Sequence, residues 1–300
     1  MGLLRGNLRL LLEEHRRRPL CGSLLQLGRT SLFFDRDELL RWMRWHSVRP
    51  AREPAPTLSH DPRLAAQGCM GDRALFEALG FDEVVSSDIS DREGCEVLFN
   101  LNESLPPDLE GRFDVVFDGG TLHHVFDVPR ALGNLHRALK PGGRLVLASV
   151  PVNNHVDHGF YMFSPTLFSD YFEANRYEID TCLVCRARYY WVDGLAVSTP
   201  WRVTPYRPGC LDHLSYGGFG SEQTTLFLVV TRTDESTCDV KPVQSYFARY
   251  LQAHPRTTGG ESGSLRTAPR RGRLYRLAKR LYTRWRHWRD VRRLTVAGDY

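Results

Sequence analysis

The stretch Gly111-Arg-Phe-Asp-Val-Val-Phe-Asp-Gly-Gly-Thr-Leu-His-His-Val-Phe-Asp127, with Ala138-Leu-Lys-Pro-Gly-Gly-Arg-Leu-Val-Leu147 one helix further on, decides the architecture. Phe113 to Phe117 is a short apolar run that breaks at Asp118-Gly119-Gly120, so it reads as a buried strand ending in a turn. Between the two blocks Asp127 is placed to cap a helix from Pro129 to Leu139, Pro129 suits its first turn, and Val128, Leu132, Leu135 and Leu139 recur at helical spacing. Lys140-Pro141-Gly142-Gly143 then turns the chain into a strand from Arg144 to Ser149. Apolar strands separated by a helix predict a parallel sheet covered on both faces.

Working outward, the same alternation continues. Upstream, residues 3 to 14 read as an amphipathic helix, and a strand from Ser23 to Leu27 ends at Gly28. A helix from Asp72 closes at Gly80, a strand from Glu83 to Ser87 leads into Asp88, and another runs from Glu96 to Leu101. Residues 30 to 72, with Trp42, Trp45 and a proline-rich segment from Pro50 to Pro62, are too long for an ordinary connection and read as an insertion over a cleft. Downstream, Ser164-Pro165 opens a helix to Ala174, and Thr181 to Trp191 and Thr224 to Thr231 read as strands that close the sheet as an antiparallel pair. The expected organisation is an N-terminal helix over 1–19, a main domain over 20–235, a linker over 236–272 and a basic amphipathic helix over 273–295.

Composition narrows the function. With 300 residues, 42% hydrophobic and 25% charged, the chain can bury a sizeable core and is neither disordered nor fibrous. No apolar run approaches the roughly 18 to 20 residues that cross a bilayer, the run from Leu8 to Leu12 is broken by Arg9, and Gly6 stands where N-myristoylation wants Ser or Thr. Seven cysteines, odd in number and scattered, do not form a disulfide framework, so a reducing, cytoplasmic setting is expected. Charge is divided: residues 246–300 hold fourteen Lys or Arg against three acids, a surplus of +11 in a chain whose total is +5, which leaves the body at −6. Leu274, Leu277, Ala278, Leu281, Trp285 and Trp288 share one stripe of the tail helix, with Arg276, Lys279, Arg280 and Arg286 opposite, a pattern suited to an anionic membrane surface. Docking on the body or on a partner, and nucleic-acid binding, are the rival uses of the tail.

The two opening blocks resemble the fourth and fifth strands of class I S-adenosylmethionine-dependent methyltransferases: a Phe-Asp before the strand, a His pair in the loop after it, and a Leu-Lys-Pro-Gly-Gly turn. The resemblance covers residues 20 to 150. It implies a Rossmann-like α/β fold, mostly parallel with an antiparallel strand near the end, and S-adenosylmethionine as cofactor. The run from Asp157 to Pro165 is similar to bacterial glycan-modifying members, which implies O-methylation of a glycan or glycan-like acceptor.

Ligands of such sheets lie at the carboxyl ends of the strands. On this resemblance Asp88 holds the ribose hydroxyls, Asn100 or Asn102 meets the adenine edge, and Gly28, Asp118 and Gly119 approach the cofactor. The first loop departs from the family's acidic, glycine-rich pattern: it reads Gln26-Leu-Gly-Arg-Thr-Ser31, keeping only Gly28, with Arg29 and Thr30 as replacement contacts. His124 and His123 are candidate bases for deprotonating an acceptor oxygen, or one packs and the other orients its loop. His155, Asp157, His158 and Tyr161 are expected to contact the acceptor, and no metal is expected, since His-x-Asp-His spacing alone does not define a metal site. Cys182 and Cys185 read as buried thiols, and Tyr189, Tyr190, Trp191 and Trp201 as core or as a sugar-binding wall. The rivals to an active enzyme are a cofactor-free scaffold of the same fold and a nucleic-acid methyltransferase. Nucleic acid is disfavoured as a partner by the acidic body and by the absence of an Asn-Pro-Pro-Tyr type of motif.

Overall fold

The computed structural model describes residues 2–211, 214, 218–247, 278, 281, 282, 284 and 285. In chain order the strands are β1 (Gly2–Leu3), β2 (Gly22–Leu27), β3 (Ser31–Leu32), β4 (Phe81–Asp88), β5 (Val97–Leu98), β6 (Phe113–Asp118), β7 (Leu139–Asn153), β8 (Glu178–Ala187), β9 (Tyr189–Val192), β10 (Leu195–Ser198), β11 (Arg202–Pro205) and β12 (Gln223–Thr231). The helices are α1 (Arg5–Arg17), α2 (Arg36–Trp45), α3 (Pro62–Ala65), α4 (Asp72–Leu79), α5 (Val128–Ala138) and α6 (Pro165–Ala174).

Eight strands form one sheet in the order β11-β8-β12-β7-β6-β2-β4-β5. From β5 to β7 all neighbours are parallel; β12 then lies antiparallel between β7 and β8. The chain leaves β2 toward β4 on one side and returns through β6 on the other, so the strand order reverses at β2, where open α/β sheets bind ligands. The expected mostly parallel sheet with antiparallel closure is thus present.

One apolar cluster joins α1, the insertion and α4 to the sheet through Leu8, Leu12, Met43, Phe76 and Phe117; the other packs α5 and α6 on the opposite face through Leu132, Leu135 and Phe168. Each such leucine, fully buried, contributes about 1.5 to 3 kcal/mol. Helix starts are fixed by side chains: Asp35, Asp127 and Ser164 accept from the backbone N–H of Glu38, Arg130 and Thr166.

Three elements differ from the sequence expectation. The strand expected over residues 96–101 shrinks to Val97–Leu98, because Asn100 and Asn102 turn the chain by bonding to each other. Lys140-Pro-Gly-Gly143 is not a turn but an irregularity inside β7, which begins directly after α5; Lys140 Nζ reaches Asp114 Oδ2 at 2.8 Å, so the Lys of one motif block pairs with the Asp of the other. The run expected from Thr181 to Trp191 is divided into β8 and the separate β9–β10 hairpin. In addition, residues expected to begin a linker are strapped along α6: Thr237 N donates to the Asn175 carbonyl, Val240 N to Asn175 Oδ1 and Ser245 N to Asp170 Oδ2. Most of the tail helix and linker, including Leu274, Leu277 and Trp288, lies outside the described residues; Ala278, Leu281, Tyr282, Arg284 and Trp285 are helical and exposed.

Candidate active site at the carboxyl edge of the sheet

At the end of β2, Gly28 has φ +70°, and its N–H donates to the Ser87 carbonyl at 2.6 Å. A Cβ there would lie 3.4 Å from Thr121 Oγ1 and 3.6 Å from Asp88 Oδ2, so the ends of β2, β4 and the loop after β6 converge on this glycine. Asp88 is half-buried; its Oδ1 accepts from Ser90 N, and its own carbonyl accepts from Phe99 N. Thr121 Oγ1 donates to the Leu27 carbonyl at 2.7 Å and ties the β6 loop to the first loop. A carboxylate beside a left-handed glycine at the switch point suits a ribose diol, and this end of the site fits S-adenosylmethionine.

The first loop is built differently from the expectation that Arg29 and Thr30 face the cofactor. Both turn inward to Asp72, the first residue of α4 and fully buried: Arg29 Nε donates to Asp72 Oδ2 at 2.7 Å, Gln26 Nε2 to the same oxygen at 2.8 Å, and Thr30 Oγ1 to Gln26 Oε1. Burial alone raises a carboxyl, but the Arg29 guanidinium overrides it and holds Asp72 below its ordinary range. A buried ion pair thus shapes the loop that glycines shape in the family pattern. Sequence reading overlooked Asp72, because a helix-opening Asp is common and nothing local marks its partner.

Asp118 is fully buried, and its carboxylate is engaged by its own turn: Oδ1 accepts from Gly120 N at 2.7 Å and from Thr121 N, and Oδ2 from Leu122 N. Burial pushes this carboxyl up against the pull of those three donors. Gly119 packs against Thr30, where a Cβ would come within 3.2 Å of Oγ1. Asn100 Oδ1 accepts from both nitrogens of Asn102, and Asn102 Oδ1 accepts from Asp127 N, so the pair fastens the β5 loop to the start of α5. Asn134, buried on α5 and not singled out from sequence, completes that loop through the Leu101 and Glu103 carbonyls and Leu105 N.

The histidines come together. His123 and His124, on the short turn Leu122–His124, have ring centroids 4.2 Å apart, and His158 lies 5.4 Å from the first and 5.3 Å from the second. His155 is 6.4 Å from His158. Burial and the neighbouring imidazoles push His123 down to about 3, and burial with His158 pushes His155 down to about 4; His124 is lowered for the same reasons. The loop carrying His155 and His158 docks by donating Phe160 N to the His123 carbonyl at 2.8 Å. Gly159, φ +88°, permits this: a Cβ there would lie 2.6 Å from His123 Cδ2. Asp157 sits exposed on this loop at φ +58°, and Tyr161 Oη donates to the Phe126 carbonyl. Phe126 and Phe160, 68% and 66% exposed, meet edge to face at 5.6 Å and form a shelf beside the imidazoles. The other aromatic residues separate: Trp201 and Tyr189 pack together against the core, while Trp191 is exposed against Phe33. Cys182 and Cys185 point to opposite faces of β8, both raised by burial, Cys182 to about 12.

A family model described as a methyltransferase domain matches residues 73–145, the span from α4 into β7 that holds Asp88, both asparagines, Asp118, Gly119 and the adjacent His pair. Over that span, about a quarter of the chain, the sequence matches a methyltransferase domain. That match stands with the strand order and bears out the resemblance to S-adenosylmethionine-dependent methyltransferases, the enzyme class and the cofactor, but not the similarity to glycan-modifying members. Among solved structures, the chain is similar to Burkholderia thailandensis 1,6-didemethyltoxoflavin-N1-methyltransferase with 1,6-didemethyltoxoflavin and S-adenosylhomocysteine bound (14% identity, 77% of this chain and 78% of that one, TM-score 0.28). It is also similar to the YcgJ protein of Bacillus subtilis (13%, 77% and 100%, 0.37) and to a possible histamine N-methyltransferase of Thermotoga maritima (15%, 75% and 89%, 0.33). No curated protein matches the chain closely enough to count as a relative.

Proposed function

We propose that the protein transfers the methyl group of S-adenosylmethionine to a hydroxyl oxygen of a glycan or glycan-like acceptor. The observation that carries this reading is the apolar shelf of Phe126 and Phe160 beside three imidazoles, at the edge where Gly28 and Asp88 converge. Aromatic faces stack on the C–H face of a sugar ring, and the His124 imidazole, lowered by burial, is a neutral acceptor for a hydroxyl proton.

The cofactor supplies an electrophilic methyl on a sulfonium; the chain supplies position and proton handling. Asp88 accepts from the ribose hydroxyls, Gly28 lets the backbone come close, and the Arg29–Asp72 pair holds the first loop in shape. His124, the exposed member of the adjacent pair, takes the acceptor proton while buried His123 orients the turn. Asp157, His158 and Tyr161 lie on the acceptor side, and the tail brings the enzyme to an anionic membrane surface on the cytoplasmic side.

Calorimetry with S-adenosylmethionine and S-adenosylhomocysteine separates this reading from a cofactor-free scaffold: binding is expected, and its absence overturns the reading. Incubation with labelled S-adenosylmethionine and a panel of soluble glycans is expected to put label on oxygen. Label on nitrogen, or on nucleic acid alone, would replace the acceptor class.

A further inference from the structure

We propose that His123, His124 and His158 bind one divalent transition-metal ion, zinc being the best match. Each side chain offers a ring nitrogen, and these atoms lie within 4.8 Å of one another. A tetrahedral zinc site with Zn–N of about 2.0 to 2.1 Å needs nitrogens about 3.3 Å apart, so the cluster closes on an ion through side-chain shifts of about an ångström.

A second observation is independent of that spacing. His123 is 1% exposed, and its Nε2 is buried without a hydrogen-bond partner; His155 Nε2, on the neighbouring loop, is in the same state. Buried polar nitrogens normally find partners, and an orphan on a ring of an imidazole cluster is accounted for by a Lewis-acidic ion that takes its lone pair. The backbone is shaped for the juxtaposition as well. Gly159 in the left-handed region lets the 155–160 loop close on the His123 carbonyl, which carries His158 to the other two rings.

The donor set selects the ion. Three imidazoles and no carboxylate suit zinc, cobalt or nickel and not magnesium or calcium, which prefer oxygen. Three protein ligands leave a fourth position open, as in catalytic rather than structural zinc sites. An ion held by His124 would use the lone pair that otherwise takes the acceptor proton, so in the loaded chain the open fourth position, in place of His124, would take and acidify the acceptor oxygen; that role rests on the methyl-transfer reading, and the metal site itself does not. Sequence reading weighed His155, Asp157 and His158 with Asp118 as metal ligands and expected none, and it did not consider the His123–His124 pair from the preceding loop.

The test uses the full chain, stripped of metal with a chelator and titrated calorimetrically with zinc chloride, then with cobalt chloride followed by visible absorption. One ion per chain is expected, with a cobalt spectrum typical of nitrogen and oxygen ligands and a rise in melting temperature on zinc addition. His124→Ala and His158→Ala, both at exposed positions, are each expected to weaken zinc at least 100-fold, and His136→Ala, on α5 away from the cluster, to leave it unchanged. No binding by the wild-type chain, unchanged binding in the two variants, or a thiolate-to-cobalt band placing the ion on cysteine overturns the proposal. S-adenosylmethionine affinity measured on the same samples separates its failure from failure of the methyl-transfer reading, and circular dichroism of each variant confirms that it is folded.

Discussion

Asp88 and His124 stand at the same edge of the sheet and answer to different measurements. Asp88 has one oxygen bonded to Ser90 and the other beside Gly28. Asp88→Ala removes at least one charge-assisted hydrogen bond to a ribose hydroxyl, roughly 1.5 to 3 kcal/mol, so calorimetry should show a loss of about 10- to 150-fold in cofactor affinity with the fold intact. In the metal-free chain His124→Gln should instead lower turnover with little change in that affinity, and the acid limb of the rate profile below pH 6.5 should flatten. A third residue reports on stability. Burial, with Arg232 and Arg137 close by, lowers His136 from 6.5 to about 4, so the unfolded chain binds the proton that the folded chain refuses. The stability this contributes is complete above pH 6.5 and is lost as pH falls toward 4. Thermal unfolding across that window should slope less steeply in His136→Gln than in the parent.

At the scale of elements, the first loop is the point where sequence and structure part most usefully. The strand, helix and strand around Phe113 to Leu147 were legible because each carries its own periodicity, cap or break. Gly28, Asp88 and Asp118 were legible as strand-end residues because the sheet dictates where ends fall. The Arg29–Asp72 pair was not, since its partners are 43 residues apart and neither has a local signature. Nor was the meeting of His158 with His123, which depends on a glycine conformation in a loop without periodicity. Arg29→Leu leaves Asp72 buried without its cation, a change that costs about 3 to 5 kcal/mol, and denaturant unfolding should register it. Cofactor affinity should fall in the same variant if the loop's shape, rather than direct contact by Arg29, is what binding needs.

For the whole molecule, the charge division between body and tail remains the feature with the widest reach. Leu281, Tyr282 and Trp285 are exposed by 59%, 56% and 50% on a segment rich in arginine. Deleting residues 255–300 should leave cofactor binding unchanged and abolish sedimentation with anionic vesicles, and salt should weaken the binding of the full chain. Full-length protein that ignores vesicles but loses a dimer on truncation would assign the tail to docking.

The position of β12 has a consequence for how the chain acquires its shape. It is the last strand among the described residues yet fills the gap between β7 and β8, completing ladders on both sides. Until residues 223–231 arrive, two long strands face each other across a missing neighbour, and their open edges can pair with other chains. Completing the sheet therefore requires an insertion, not an addition at a rim. The Rossmann half from β2 to β7 has its ladders before β12 is made, whereas β8 joins the sheet only through that later strand, which makes the interval before its arrival the stretch of synthesis most exposed to aggregation.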